Sequence, residues 1–167
     1  MHPPSGQKPS YPGEEATATE IRLLAEQYFK AAELLKSLNQ TKNPAALAPF
    51  RLAAIHAIEL FLNAHLVSTG HTAVEIRELK HDLTKRLELA QAKGLILRAK
   101  TARHIETIVD TREYLVTRYS SKHLSKAPPQ SRLEATLKEI RRKVVRSMDG
   151  AEVNPASSRP SDRTAAS

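Results

Sequence analysis

From residue 17 to residue 149 the apolar side chains recur at three- and four-residue intervals, the spacing that lines one face of an α-helix. The first stripe comprises Ile21, Leu24, Ala25, Tyr28, Ala31, Ala32, Leu35 and Leu38. It predicts a helix over 19–38 that Asn39, Thr41, Asn43 and Pro44 break. Asn43-Pro44 then has the form of an N-cap followed by a proline in the first helical turn, where a missing N–H costs no hydrogen bond. The second helix reaches Thr69 and stops at Gly70, a residue suited to helix ends. Between Leu52 and Val67 it is apolar on nearly every side, which predicts the central, buried helix. Its polar exceptions His56, Glu59 and Asn63 fall on one narrow strip, because the side chains of a helix advance by about 100° per residue.

A short helical turn is expected over 72–79. Asp82 is placed to cap a third helix that reaches Lys93 and ends at Gly94. The fourth helix runs from Leu97 to Tyr119, with Ile105, Ile108, Val109, Leu115, Val116 and Tyr119 on its face and Arg112 in the middle of it. Ser120 to Pro129 reads as a loop. The last helix, 130–148, buries Leu133, Leu137, Ile140, Val144 and Met148 and turns Lys138, Arg142, Lys143 and Arg146 outward. No segment alternates apolar and polar residues with β-branched enrichment, so an all-α domain over 17–149 is expected. The flanks, 1–16 with Pro3, Pro4, Pro9 and Pro12 and 150–167 with Pro155 and Pro160, cannot bury a core and are expected to be disordered tails.

Charge adds a partner class. Twenty-six Lys and Arg against 18 Asp and Glu leave +8 in 167 residues, which favours anionic partners such as RNA, although the same surplus also serves solubility. Three Phe, four Tyr and no Trp argue against a single-strand binder built on stacking platforms. The absence of Cys excludes disulfides and thiolate metal sites. No metal is expected. His65 and His71 lack helical i, i+4 spacing, and no His-Glu-x-x-His pattern occurs. Nor is there a glycine-rich phosphate loop, so no cofactor is expected. No run of about 18 apolar residues is present, and the start His2-Pro3-Pro4-Ser5-Gly6 is unlike a secretory signal, so no membrane association and a cytoplasmic location are expected.

Three elements carry a resemblance. They are Ala57-Ile58-Glu59-Leu60-Phe61-Leu62-Asn63-Ala64 before the Gly70 turn, His81-Asp82-Leu83 followed by the Ala90–Gly94 helix end, and Arg118-Tyr119 near the end of the fourth helix. In order and spacing the chain resembles the HEPN family of helical-bundle domains over roughly 19–148. It departs from the family pattern at Asn63, where lysine is common, and at Ser120, where proline is common. The resemblance implies an antiparallel four-to-five-helix bundle that forms a homodimer. It also implies one of two activities. One is a non-catalytic module that binds RNA or a protein partner, such as an antitoxin or a nucleotidyltransferase. The other is a metal-independent endoribonuclease of the toxin or defence type.

Arg118-Tyr119-Ser120-Ser121-Lys122-His123 matches the Arg, four residues, His spacing of the family's ribonucleases. An imidazole can move the 2′-hydroxyl proton, and a guanidinium can hold charge on the phosphoryl oxygens. Arg118-Tyr119 equally matches a non-catalytic helix end, which leaves His123 an ordinary loop histidine. Glu59 needs a partner if buried, and Arg112 or Arg118 across the second and fourth helices is expected to supply it. With His56 and Asn63 the pair either sets helix register or forms a polar pocket for a nucleotide or RNA end. His81 and Asp82 read either as part of an acid–base site or as a packed ring beside an N-cap. The basic face of the last helix, with Arg98, Lys100 and Arg103, is suited to tracking a phosphate backbone.

Overall fold

The computed structural model describes residues 13–37 and 43–152, and these form an all-α bundle with no strand among them. Thr17 opens helix α1 (Ala18–Lys36): its hydroxyl accepts from the Glu20 N–H while the Glu20 carboxylate accepts from the Thr17 N–H, a reciprocal capping box. Asn43 caps a 3₁₀ turn over Pro44–Leu47, which leads into α2 (Ala48–Ser68), and Gly70 follows in the left-handed region. Short α3 (Ala73–Glu78) begins with a second capping box, Thr72 with Glu75. Asp82 caps α4 (Leu83–Ala92) by accepting from the Lys85 N–H at 3.0 Å. Then come α5 (Ala99–Asp110), α6 (Glu113–Tyr119), α7 (Ser121–Leu124) and α8 (Gln130–Glu152).

Helix α2 is the axis. Thirteen of its 21 residues are buried, and α1, α4, α6 and α8 all pack on it. Phe50, Ile55, Ile58, Phe61, Leu62 and Leu66 share one core with Leu133, Leu137, Ile140 and Val144 of α8. Burying each such side chain contributes about 1.5–3 kcal/mol. By length and mean hydropathy, 1.5, segment 45–68 is apolar enough to cross a bilayer. The bundle buries most of it instead, with the charged Arg51 and Glu59 inside. Helices α1 and α8 run antiparallel, as their ion pairs record: Arg22–Asp149, Glu26–Arg141, Glu33–Lys138 and Lys36–Glu134 climb one helix while descending the other.

Three boundaries differ from the sequence reading. The fourth helix breaks at Thr111-Arg112, where Arg112 has φ +50°, and becomes α5 and α6. A continuous helix would carry Arg112 and Val116 on the buried side. The left-handed residue rotates the register, so that Glu113 and Thr117 face inward while Leu115 and Tyr119 face solvent. The segment 120–129, read as a loop, contains the single turn of α7. Helix α8 continues past Met148 to Glu152. Leu38 and the remaining tail positions, 1–12 and 153–167, lie outside the described residues.

Candidate functional site

The three elements of the resemblance meet in space. Glu59, projecting from α2, is the anchor. Its Oε1 lies 3.2 Å from a terminal nitrogen of Arg86 on α4, and both its oxygens lie 3.3 Å from His81 Nδ1. Arg86 is buried and fully engaged: Nε donates to Asn63 Oδ1 at 2.8 Å, and the terminal nitrogens donate to the Asp82 carbonyl at 3.2 Å and to the Lys80 carbonyl. One guanidinium thus closes the α3–α4 turn and presents His81. That turn needs the support, because Lys80 has φ +50°, a conformation that costs a residue with a Cβ roughly 1–2 kcal/mol.

From the other side α6 supplies the rest. The Tyr114 ring stacks on the His81 imidazole at a centroid distance of 4.3 Å and 27°, and its hydroxyl is 3.4 Å from His81 Nε2. Arg118, four residues later on the same helical face, places its guanidinium carbon 4.0 Å from the Tyr114 ring centroid, a cation–π contact. Half-buried His56 lies one turn before Glu59 and meets Tyr28 of α1 edge-on at 4.4 Å. Burial holds the His56 imidazole below its ordinary pKa; Glu59 opposes this, and Arg118 and His81 reinforce it. Burial raises the Tyr114 phenol above its usual range, with Arg118 opposing.

Of the expected site residues, Glu59, His56, Asn63, His81 and Arg118 therefore come together. Two expectations are corrected. Glu59 does take a guanidinium, but from Arg86, not from Arg112 or Arg118. Arg112 is not on a buried face; it is exposed at the α5–α6 break. Asp82 caps α4 with one carboxylate oxygen and lies 3.9 Å from Lys85 Nζ with the other. His123 is exposed on α7 with Nδ1 hydrogen-bonded to Ser120 Oγ at 2.6 Å, while Arg118 is turned onto Tyr114.

Arg86 and Tyr114 were missed. The signal for Arg86 was there: with Leu83, Leu87 and Ala90 it sits on the one apolar stripe of α4. Nothing local marks Tyr114, whose position depends on the break at Arg112. A second buried pair, Arg51–Glu113, was also missed. Arg51 donates to Glu113 and to the Pro128 carbonyl, pinning α2, the start of α6 and the approach to α8 together. The expected basic tract is partly neutralised. Arg98 Nε donates to Glu139 at 2.6 Å, and Lys138 is bound to Glu134 and lies near Glu33. Phe29 lies under Arg141, and Phe61 and Leu66 are wholly buried, so these residues belong to the packing of the bundle. Among the described residues no group of three or more His, Asp and Glu is arranged to hold a metal ion.

Set against family models, curated proteins and solved structures, the chain matches none. The site's meaning rests on its geometry. An exposed imidazole is backed by a carboxylate and flanked by a phenol ring and a guanidinium. That set offers a cation for a phosphate and an exposed hydrogen-bonding imidazole beside it.

Proposed function

We propose that this protein is a cytoplasmic, HEPN-like helical module that acts as a homodimer and binds single-stranded RNA through the His81–Tyr114–Arg118 surface. The observation that carries the reading is the convergence of Glu59, His81 and Arg118, far apart in sequence, around one aromatic ring. Arg118 supplies a phosphate contact, and the exposed imidazole of His81 supplies a hydrogen-bonding contact to a base edge or ribose. The surplus of positive charge supplies the sequence-independent attraction. Exposed Leu23, Leu24 and Leu34 on the outer side of α1 support self-association.

The test is fluorescence polarisation of a labelled single-stranded RNA. With about four phosphate contacts, affinity falls roughly 50-fold between 50 and 200 mM salt. Arg118→Gln weakens binding and makes the salt dependence shallower. Affinity independent of salt, or a stable protein complex from a chain with no RNA affinity, replaces this reading. Sedimentation at micromolar concentration reads the dimer directly.

A further inference from the structure

The loop between α4 and α5 and the C-terminal half of α8 take no part in the site around His81. Residues 89–105 carry Lys93, Arg98, Lys100 and Arg103 without one Asp or Glu, and residues 140–148 carry Arg141, Arg142, Lys143 and Arg146, again without an acid. The fold brings these two stretches together. Glu139 accepts from the Arg98 N–H at 2.8 Å, from Arg98 Nε at 2.6 Å and from the Thr101 hydroxyl at 2.6 Å. One turn deeper, His104 Nδ1 meets Thr136 Oγ1 at 2.8 Å. Helix α8 therefore rises past the start of α5. Positions 142, 143 and 146, three, four and seven residues beyond Glu139, continue its stripe along that side. Glu139, the acid at this junction, is buried with both oxygens engaged, whereas the side chain of Arg98 is 69% exposed. Among the described residues Arg142, Lys143 and Arg146 have no ion pair, unlike Lys138 and Arg141 on the side of α8 that meets α1. A field of one sign is left facing solvent.

The apex of that field is aliphatic. Gly94, at φ +90°, turns the chain out of α4; Leu95 folds back into the core, and Ile96 stands 74% exposed between Lys93 and Arg98. A single exposed isoleucine on a mixed surface is ordinary. Here its place in the charge decides its meaning. A nucleic acid would neutralise the cations and leave the isoleucine in water, and neither stretch holds a Phe, Tyr or Trp on which a base could stack. A bilayer rich in anionic lipid satisfies both parts. Its headgroups meet the cations, and the aliphatic side chain enters the boundary between headgroups and acyl chains.

We infer that this end of the bundle docks on the surface of membranes that carry anionic lipid, with Ile96 inserted and Lys93, Arg98, Lys100, Arg142 and Arg146 around it. The attachment is peripheral: α2 stays in the core, and the loop adds one side chain to the bilayer. Each basic residue close to such a surface raises partitioning about fivefold. The inference is independent of the RNA reading, because His81, Tyr114 and Arg118 take no part in it.

The test is co-sedimentation of the full chain, in low salt, with phosphatidylcholine vesicles that contain or lack about 30% phosphatidylserine. Binding is expected with phosphatidylserine and not without it. Arg142→Gln and Arg146→Gln should each weaken partitioning about fivefold, and Ile96→Ser, which keeps every charge, about tenfold. All three positions are exposed, so thermal unfolding followed by circular dichroism should stay unchanged. The chain has no tryptophan, so Ile96→Trp is a lone reporter whose emission should shift to the blue on phosphatidylserine vesicles. No binding to those vesicles overturns the inference. So does binding that Ile96→Ser leaves intact, or a reporter that does not shift, since either makes the contact one of charge alone. If Arg142→Gln and Arg146→Gln weaken RNA binding, read by polarisation, and leave vesicle binding intact, the surface belongs to nucleic acid and the inference falls. Arg118→Gln should leave vesicle binding unchanged, which separates failure here from failure of the RNA reading.

Discussion

Helix α2 carries two guanidinium–carboxylate pairs about two turns apart, and they are opposites. At its N-terminal end Arg51 and Glu113 are 2% and 1% exposed, and Arg51 Nε and Glu113 Oε2 find no hydrogen-bond partner. Two turns on, Glu59 and Arg86 are also buried, but every direction of the Arg86 guanidinium is used and the Glu59 carboxylate reaches outward to the exposed imidazole of His81. The closed pair joins α2, α6 and the approach to α8, with no ionisable group of the pair left for a ligand. The open pair passes its charge to a side chain that solvent and ligands can reach. A buried ion pair by itself is weak support for either stability or function, and the identity of what lies beyond it separates the two cases.

Breaking the closed pair should have the largest effect. Glu113→Ala strands Arg51 in the core and is expected to cost about 3–5 kcal/mol of unfolding free energy in urea, whereas Arg51→Met with Glu113→Leu recovers most of that loss. A single-variant loss below about 1 kcal/mol would put the two pairs in the same class. Acid acts at the same end of the molecule. His104, near Arg51, is hydrogen-bonded through Nδ1 to Thr136 Oγ1 at 2.8 Å, and burial, with Arg132 and Arg51 assisting, pushes its pKa down to about 4 from 6.5. The unfolded chain takes up the proton first on acidification. Stability from this group is therefore complete above pH 6.5 and is lost as pH falls toward 4, by on the order of 3 kcal/mol. His104→Asn should flatten that part of the curve; an unchanged slope would show that the imidazole is not held neutral.

The open pair is expected to be milder in stability and stronger in function. Glu59→Gln keeps a carbonyl acceptor for Arg86 and should cost about 1–2 kcal/mol. Calorimetry that finds a loss as large as that of Glu113→Ala would make Glu59 a core element first. Smallest of all, Lys80→Gly and Arg112→Gly relieve left-handed strain and should each stabilise by about 0.5–1 kcal/mol. If Arg112→Gly instead destabilises, the arginine side chain makes a contact that its exposure does not suggest.

Much of this molecule was legible in its sequence. The buried character of α2, the Asn43-Pro44 start, the Asp82 cap and the Gly70 and Gly94 stops are local consequences of apolar spacing and backbone preference, and the helices begin and end close to where those signals stand. The strip of His56, Glu59 and Asn63 was legible too, because it depends only on helical pitch. Glu59's partner was not. Arg112 was the conspicuous charge only on the premise of an unbroken fourth helix, and one left-handed residue moved it to the surface and turned Glu113 inward.

The sequence by itself determined that the chain is helical, which helix is central, and that this helix carries a carboxylate needing company. Those are properties of neighbours within a few residues, where period and propensity act. Only the tertiary structure decided which guanidinium satisfies Glu59, that His81 lies on Tyr114, and that Arg118 joins them. Each of these depends on the relative rotation of separate helices, which is set by how the whole core packs and by where one backbone turn departs from the helical path.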